Sequence, residues 1–118
     1  MQEKPDIQKR SFDFACRVVR LCQTLEKDQV SRTVANQLLR PATSIGANVE
    51  EAQAAQSKPD FTARMYISCK EARETHYWLR ILSSANIVPE NKISKLKDES
   101  NQIVAILTTI TKNSRADK

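Results

Sequence analysis

Apolar residues recur along the chain at steps of three and four, which is the spacing of an amphipathic helix. The first run predicts a helix that begins near Asp6 or Ser11 and ends near Lys27. Ser31 is the predicted N-cap of a second helix. Pro41 lies inside this second helix and should kink it, because proline removes one backbone donor and clashes with the preceding turn.

A break at residues 57–60 starts a third helix, which covers residues 60–86 and contains no glycine or proline. Its predicted core face consists of Phe61, Met65, Cys69, Ala72, His76 and Leu79. The fourth helix begins near Pro89 with a heptad of apolar residues, and its polar end, residues 112–118, is expected to fray. Short connections between the helices predict an all-α fold, an antiparallel up-and-down four-helix bundle, with residues 1–118 as a single domain.

The third helix carries two further faces. Opposite its core face lies a second apolar strip, which predicts a contact with another subunit. The members of this strip are Ile67, Trp78, Ile81 and Ala85. Between the two apolar faces, basic and aromatic residues alternate at steps of 4, 3, 4 and 3. This set, here called the basic-aromatic face, consists of Tyr66, Lys70, Arg73, Tyr77 and Arg80.

The composition of the basic-aromatic face fits nucleic acid. Lysine and arginine can neutralise phosphates while tyrosine stacks on unpaired bases, a combination that single-stranded nucleic-acid binders use. Arg17 and Arg20 on the first helix are predicted to contribute further phosphate contacts. The sequence is equally compatible with a different interpretation, in which the tyrosines pack against neighbouring helices and the cations extend into solvent.

Charge and composition agree with this picture. The chain of 118 residues has a single glycine, which favours helices over strands with tight turns. Its net charge of +5 is spread over the helices and indicates an anionic partner, either RNA or DNA. No apolar run reaches the roughly 18 residues of a membrane span, and the N-terminus lacks a signal-peptide core. We therefore expect a soluble cytoplasmic protein that does not bind membranes.

Catalytic and metal-binding motifs are missing from the sequence. His76 is the only histidine, and the two Glu-x-x-His motifs of a di-iron bundle are absent. Cys69 precedes His76 by two helical turns, about 10 Å, which is beyond hydrogen-bond reach. Cys16, Cys22 and Cys69 have the irregular spacing of reduced core thiols. The sequence therefore predicts a protein that is not an enzyme and has no metal or cofactor.

Residues 36–82 resemble a known family. The stretch NQLLRPATSIGANVEEAQAAQSKPDF and the later ARETHYWLRIL are similar to four-helix-bundle proteins encoded by intervening sequences in bacterial 23S rRNA genes, a family that includes the accessory variability proteins of diversity-generating retroelements. The matching positions are Ser44, Ile45, Asn48, Glu51, Glu74, Tyr77, Trp78 and Leu79. The chain departs from the family pattern at Gly46 and Ala52, where many members carry proline and glycine.

This resemblance implies a non-enzymatic homopentamer with a positively charged surface, and it makes a reverse transcriptase a candidate partner. Five copies at +5 would bring together about 25 positive charges. Two hypotheses of function follow. The first is a homo-oligomeric adaptor that binds nucleic acid without strong sequence preference and acts beside a reverse transcriptase. The alternative is a structural protein-interaction module that does not bind nucleic acid.

Overall fold

Residues 6–116 fold into four α-helices. A computed structural model describes residues 6–116, and within this range the structure contains no strand. The helices are α1 (Ile7–Gln23), α2 (Gln29–Gln53), α3 (Lys58–Ser84) and α4 (Glu90–Ala116). The three connections, residues 24–28, 54–57 and 85–89, overlap the polar breaks that the sequence shows, although the first two lie a few residues earlier than predicted.

The helices form an antiparallel, up-and-down bundle. Helix α1 packs against α2 and α4, and α3 packs against the same two helices, whereas no Cα atoms of the diagonal pairs lie within 8 Å of each other in residues 6–116. Where α3 contacts α4, residue numbers rise along α3 while those of their partners fall along α4, as expected for antiparallel helices. The pairs are Thr62 with Ser114, Cys69 with Thr108, and His76 with Ser100. The predicted fold is therefore confirmed.

The core lies between all four helices. Its largest fully buried side chains include Phe14, Leu38, Ile45, Met65, Leu79, Ile103 and Leu107. Four residues of the predicted core face of α3 are buried, while Phe61 and His76 are partly buried. The core face also includes Ser68, whose hydroxyl donates a hydrogen bond to the carbonyl oxygen of Ile45 at 2.8 Å. That bond satisfies the buried hydroxyl and ties α3 to α2.

The turn between α1 and α2 differs from the prediction at both ends. Helix α1 ends at Gln23, four residues earlier than predicted, where the Thr24 hydroxyl donates to the Leu21 carbonyl at 2.7 Å. The N-cap of α2 is Asp28 rather than Ser31. The Asp28 carboxylate accepts the Ser31 backbone N–H at 2.9 Å and the Ser31 hydroxyl at 2.9 Å, and these bonds lower the pKa of Asp28.

Helix α4 extends further than its composition suggests. Residues 112–116 are helical, so the prediction of a frayed end is wrong for this segment, and residues 117 and 118 lie outside the described range. In α2, the helix continues through Pro41, whose side chain is buried. The predicted kink at this proline stays a prediction.

Gly46 allows α1 and α2 to approach closely. A Cβ atom at this position would lie 3.3 Å from the hydroxyl oxygen of Ser11 and 3.5 Å from its carbonyl carbon. Ser11 is fully buried, and its hydroxyl donates to the Ile7 carbonyl at 2.7 Å, so it has little freedom to move aside. The close approach explains a glycine in a helix interior, where it costs about 1 kcal/mol relative to alanine.

Gly46→Leu is therefore expected to lower the free energy of unfolding by about 1–3 kcal/mol, because the larger side chain must push α1 outward. The matched control is Ala47→Leu, one residue further along and exposed to solvent, which should change stability by no more than about 0.5 kcal/mol. Urea denaturation followed by circular dichroism measures both values. Equal stabilities for the two variants would contradict the proposed role of Gly46.

Candidate nucleic-acid interface

The basic-aromatic face is open to solvent in the subunit. Tyr66 is 41% exposed and Tyr77 is 48% exposed, which makes them two of the most exposed large apolar side chains in residues 6–116. Lys70, Arg73 and Arg80 are exposed beside them. The continuous α3 helix, which begins at the N-cap Ser57 and has no internal proline beyond its first turn, holds all five side chains along one edge. This edge borders α4.

Each tyrosine ring of this face contacts a cation. The Lys70 Nζ lies 5.8 Å from the centre of the Tyr66 ring, and the Arg80 guanidinium carbon lies 5.7 Å from the centre of the Tyr77 ring. A third cation, Arg115 of α4, lies 5.2 Å from the centre of the Tyr66 ring. The rings are therefore not packed inside the bundle. Each is half exposed to solvent and makes a cation–π contact with a neighbouring side chain.

Arg115 is not among the site residues that the sequence predicts. It belongs to the polar segment that was expected to fray, and nothing in the spacing of α3 refers to it. The only available signal was the predicted antiparallel pairing, which places the end of α4 beside the start of α3. With Arg115, two helices contribute positive charge to one surface.

Within residues 6–116, the cations of this surface have no acidic partner. No carboxylate among residues 6–116 forms an ion pair with Lys70, Arg73, Arg80 or Arg115. The nearby Glu74 is engaged on the α2 side, where it accepts the indole N–H of Trp78 at 3.1 Å and lies 3.5 Å from Arg40. The positive charge is therefore available to an anion from solution.

Helix α4 supports the inner edge of the face. The Arg73 guanidinium donates to the Cys69 sulfur at 3.5 Å, and that sulfur lies 3.4 Å from the Thr108 hydroxyl. Two turns beyond Cys69, His76 Nδ1 lies 2.8 Å from the Ser100 hydroxyl oxygen. Because that hydroxyl donates to a backbone carbonyl, the imidazole Nδ1–H is the donor in the pair.

His76 adds no charge to the surface near neutral pH. Burial lowers its pKa below the ordinary value of 6.5, and the positive charges of Arg80 and Lys97 lower it further. Because its pKa is lower in the folded state, folding favours the neutral imidazole. The contribution of His76 to the free energy of unfolding is therefore full above pH 6.5 and is lost as the pH falls through the folded-state pKa. His76 thus acts as a hydrogen-bonded packing residue.

Arg17 and Arg20 lie elsewhere. They line a groove between α1 and α4 together with Lys92. In the described part of the chain no Cα atom of α1 lies within 8 Å of one in α3, and α4 separates these arginines from the basic-aromatic face. The predicted site therefore consists of two basic patches, one on each side of α4, rather than one continuous surface.

The second apolar strip of α3 is only partly open. Ile67 is 38% exposed and Ala85 is exposed, but Ile81 and Trp78 are partly buried. Trp78 packs against the core of its own subunit, and its ring meets Tyr77 edge-on with the ring centres 5.2 Å apart. Ile67 is therefore the large apolar side chain of this strip with surface to offer another subunit. The subunit contact itself stays a prediction.

Other chemistry has little support in residues 6–116. No group of three or more His, Cys, Asp or Glu side chains there is arranged to hold a metal ion. The three cysteines are free, and burial raises the pKa of Cys22 to about 11, so its thiol is not activated. None of the helices in this range combines the length and apolarity that crossing a membrane requires.

Comparison with known proteins identifies the family. The family model described as "23S rRNA-intervening sequence protein" matches residues 3–109, which is most of the chain. The chain belongs to the 23S rRNA-intervening sequence protein family. This result confirms the part of the resemblance that concerns 23S rRNA intervening sequences.

A solved structure supports the assignment. It is a crystal structure of a protein from the S23 ribosomal protein family of Bacteroides thetaiotaomicron VPI-5482, described as a protein of unknown function. The two chains are 37% identical and superpose with a TM-score of 0.84, over 90% of this chain and 98% of the other. No curated protein sequence matches this chain. The family and the bundle are therefore established, while the family description assigns no activity.

Proposed function

We propose that this protein is a non-enzymatic, homo-oligomeric bundle that binds single-stranded nucleic acid with little sequence preference. The observation that carries the proposal is the basic-aromatic face. It combines exposed cations that have no carboxylate partner in residues 6–116 with two half-exposed tyrosine rings. Unpaired cations bind phosphates, and exposed rings beside them provide surfaces for unpaired bases.

The shape of the face fits a flexible strand. Residues 66–80 span about 21 Å along α3, which is long enough to meet several consecutive phosphates of one strand. Cations spaced along one continuous helix contact the backbone of any sequence, whereas sequence-specific recognition requires side chains that reach base edges. Little sequence preference is therefore expected.

The experiment that tests the proposal is a fluorescence-anisotropy titration of labelled single-stranded and duplex RNA and DNA, on a sample whose mass is fixed by light scattering. We expect saturable binding of single strands at low salt and weaker binding of duplexes, because paired bases cannot stack on tyrosine. A folded sample that binds no strand at low salt would contradict the proposal.

We infer a reverse transcriptase as the protein partner from the family resemblance alone. The accessory variability proteins of diversity-generating retroelements are the members that point to it, and the homopentamer is inferred from the same source. A reverse transcriptase gene beside the gene for this protein would support the inference, and co-purification of the two proteins would test it directly.

A specific observation favours a second function, that of a protein-interaction module. Ile67 exposes an apolar side chain directly after the half-exposed Tyr66 in α3. Such a surface serves assembly or docking whether or not nucleic acid binds. In this case the cations of the basic-aromatic face serve only to keep the assembly soluble. The anisotropy titration would then show no binding of nucleic acid.

A further inference from the structure

A cavity lies at the end of the basic-aromatic face, where α3 begins and α4 ends. Its volume is about 650 Å³, within the range of roughly 300–1,000 Å³ that small-molecule sites occupy. The residues that line it are Lys58, Pro59, Thr62, Ala63, Tyr66, Ser114 and Arg115. Tyr66 belongs to both the cavity and the face, so the two features form one continuous surface.

The cavity wall combines three kinds of chemistry. Pro59, Ala63 and the Tyr66 ring provide an apolar lining, and the Arg115 guanidinium carbon stands 5.2 Å from the centre of that ring. The Thr62 and Ser114 hydroxyls bond to each other across the two helices. Since Thr62 donates to the Lys58 carbonyl at 3.0 Å, Ser114 is the donor of that pair and its oxygen can still accept a hydrogen bond.

The charges of the lining select the ligand. Among the described residues of the lining, the ionisable side chains other than the tyrosine are Lys58 and Arg115, and none is a carboxylate. Arg115 is the cation of the lining on which the assignment rests, because it lies beside the Tyr66 ring. An apolar slot beside an aromatic ring and a guanidinium plane suits a flat ring, because nucleic-acid bases stack on both kinds of group. Positive charge at the mouth suits the phosphate attached to that base.

We propose that this cavity receives one unpaired base of a bound single strand, with the adjoining phosphates on Arg115 and Lys70. The proposal rests on the nucleic-acid function above and adds an enclosed base-binding site to a face whose tyrosine rings otherwise offer bases only an open stacking surface. The base lies beside Tyr66 and Arg115, and the Ser114 oxygen accepts a hydrogen bond from an amino group of the base.

The test compares two labelled single strands of equal length, one with bases and one with an abasic backbone, by fluorescence anisotropy. The variant Ala63→Leu partly fills the cavity without changing charge or adding a ring. We expect it to weaken binding of the strand with bases by about fivefold or more and to leave the abasic strand unaffected. The matched control is Ala47→Leu on α2, which should bind both strands as the unmodified protein does.

Three results would overturn the proposal. If Ala63→Leu binds both strands as the unmodified protein does, and its affinity still depends on salt, the cavity is not a base-binding site. That result would leave the assignment of the phosphate-binding face unchanged. Adenosine monophosphate that binds as tightly as the strand would make the cavity a free-nucleotide site. No binding of either strand by the unmodified protein would overturn the proposed function together with the base site. Circular dichroism establishes that the variants are folded.

Discussion

Replacing Lys70 and Arg73 together by glutamate is expected to weaken the binding of single-stranded nucleic acid by at least about tenfold at fixed salt. Both side chains are exposed, and neither forms an ion pair with a carboxylate in residues 6–116. Reversal of their charge removes two phosphate contacts and sets two negative charges against the strand. Because the side chains are exposed, the fold should be retained, and fluorescence anisotropy measures the change in affinity.

A control with the same change in charge separates a local effect from an effect of net charge. Lys27→Glu combined with Arg32→Glu also lowers the net charge of +5 by four, to +1, but acts at exposed positions near the turn between α1 and α2. This control should retain most of the affinity. Equal loss in both double variants would mean that net charge alone drives binding, which would remove the functional assignment of the basic-aromatic face.

Ile67→Lys is expected to disrupt the homo-oligomer and yield a folded monomer of 13.4 kDa. Ile67 is 38% exposed, so lysine is tolerated in the subunit, whereas a charge buried between two subunits without a partner is strongly unfavourable. Light scattering after size-exclusion chromatography measures the mass. Ile67 is a cleaner probe than Trp78, because Trp78 also packs against the core of its own subunit and a change there would alter stability.

Val19→Lys is the matched control for that change. Val19 is 37% exposed, almost the same as Ile67, but it lies on α1. An oligomer that survives Val19→Lys and dissociates with Ile67→Lys locates the contact on α3. An Ile67→Lys protein that keeps its full assembled mass would exclude this strip from the subunit interface.

The sequence was sufficient for the bundle because periodicity reports burial directly. The steps of three and four along α3 placed Met65 and Leu79 in the core, and both are fully or almost fully buried. Helix ends were harder to predict. Asp28 and Ser31 are both good cap residues, and the choice between them depends on a carboxylate that accepts two hydrogen bonds, a detail of local geometry that spacing does not contain.

The candidate site was only partly predictable for a related reason. The alternation of basic and aromatic residues predicts the face on α3. Spacing within one helix does not indicate which residues of the other helices lie beside that face. The contact of Arg115 with Tyr66 depends on how α3 and α4 are paired, and the separation of Arg17 from the face depends on α4 lying between them. The same limit applies to Trp78, which looked like a free apolar residue and instead packs beside its own core.

The salt dependence of binding tests the central claim most directly. The affinity of the unmodified protein for a labelled single strand is measured across a range of salt concentrations and compared with that of the Lys70→Glu, Arg73→Glu variant. If both side chains neutralise phosphates, the logarithm of affinity falls linearly with the logarithm of salt concentration, and the slope for the variant is shallower by about 1.4, since each contact on a single strand contributes about 0.7. Parallel lines for the two proteins, or an affinity independent of salt, would contradict the assignment of phosphate binding to this face.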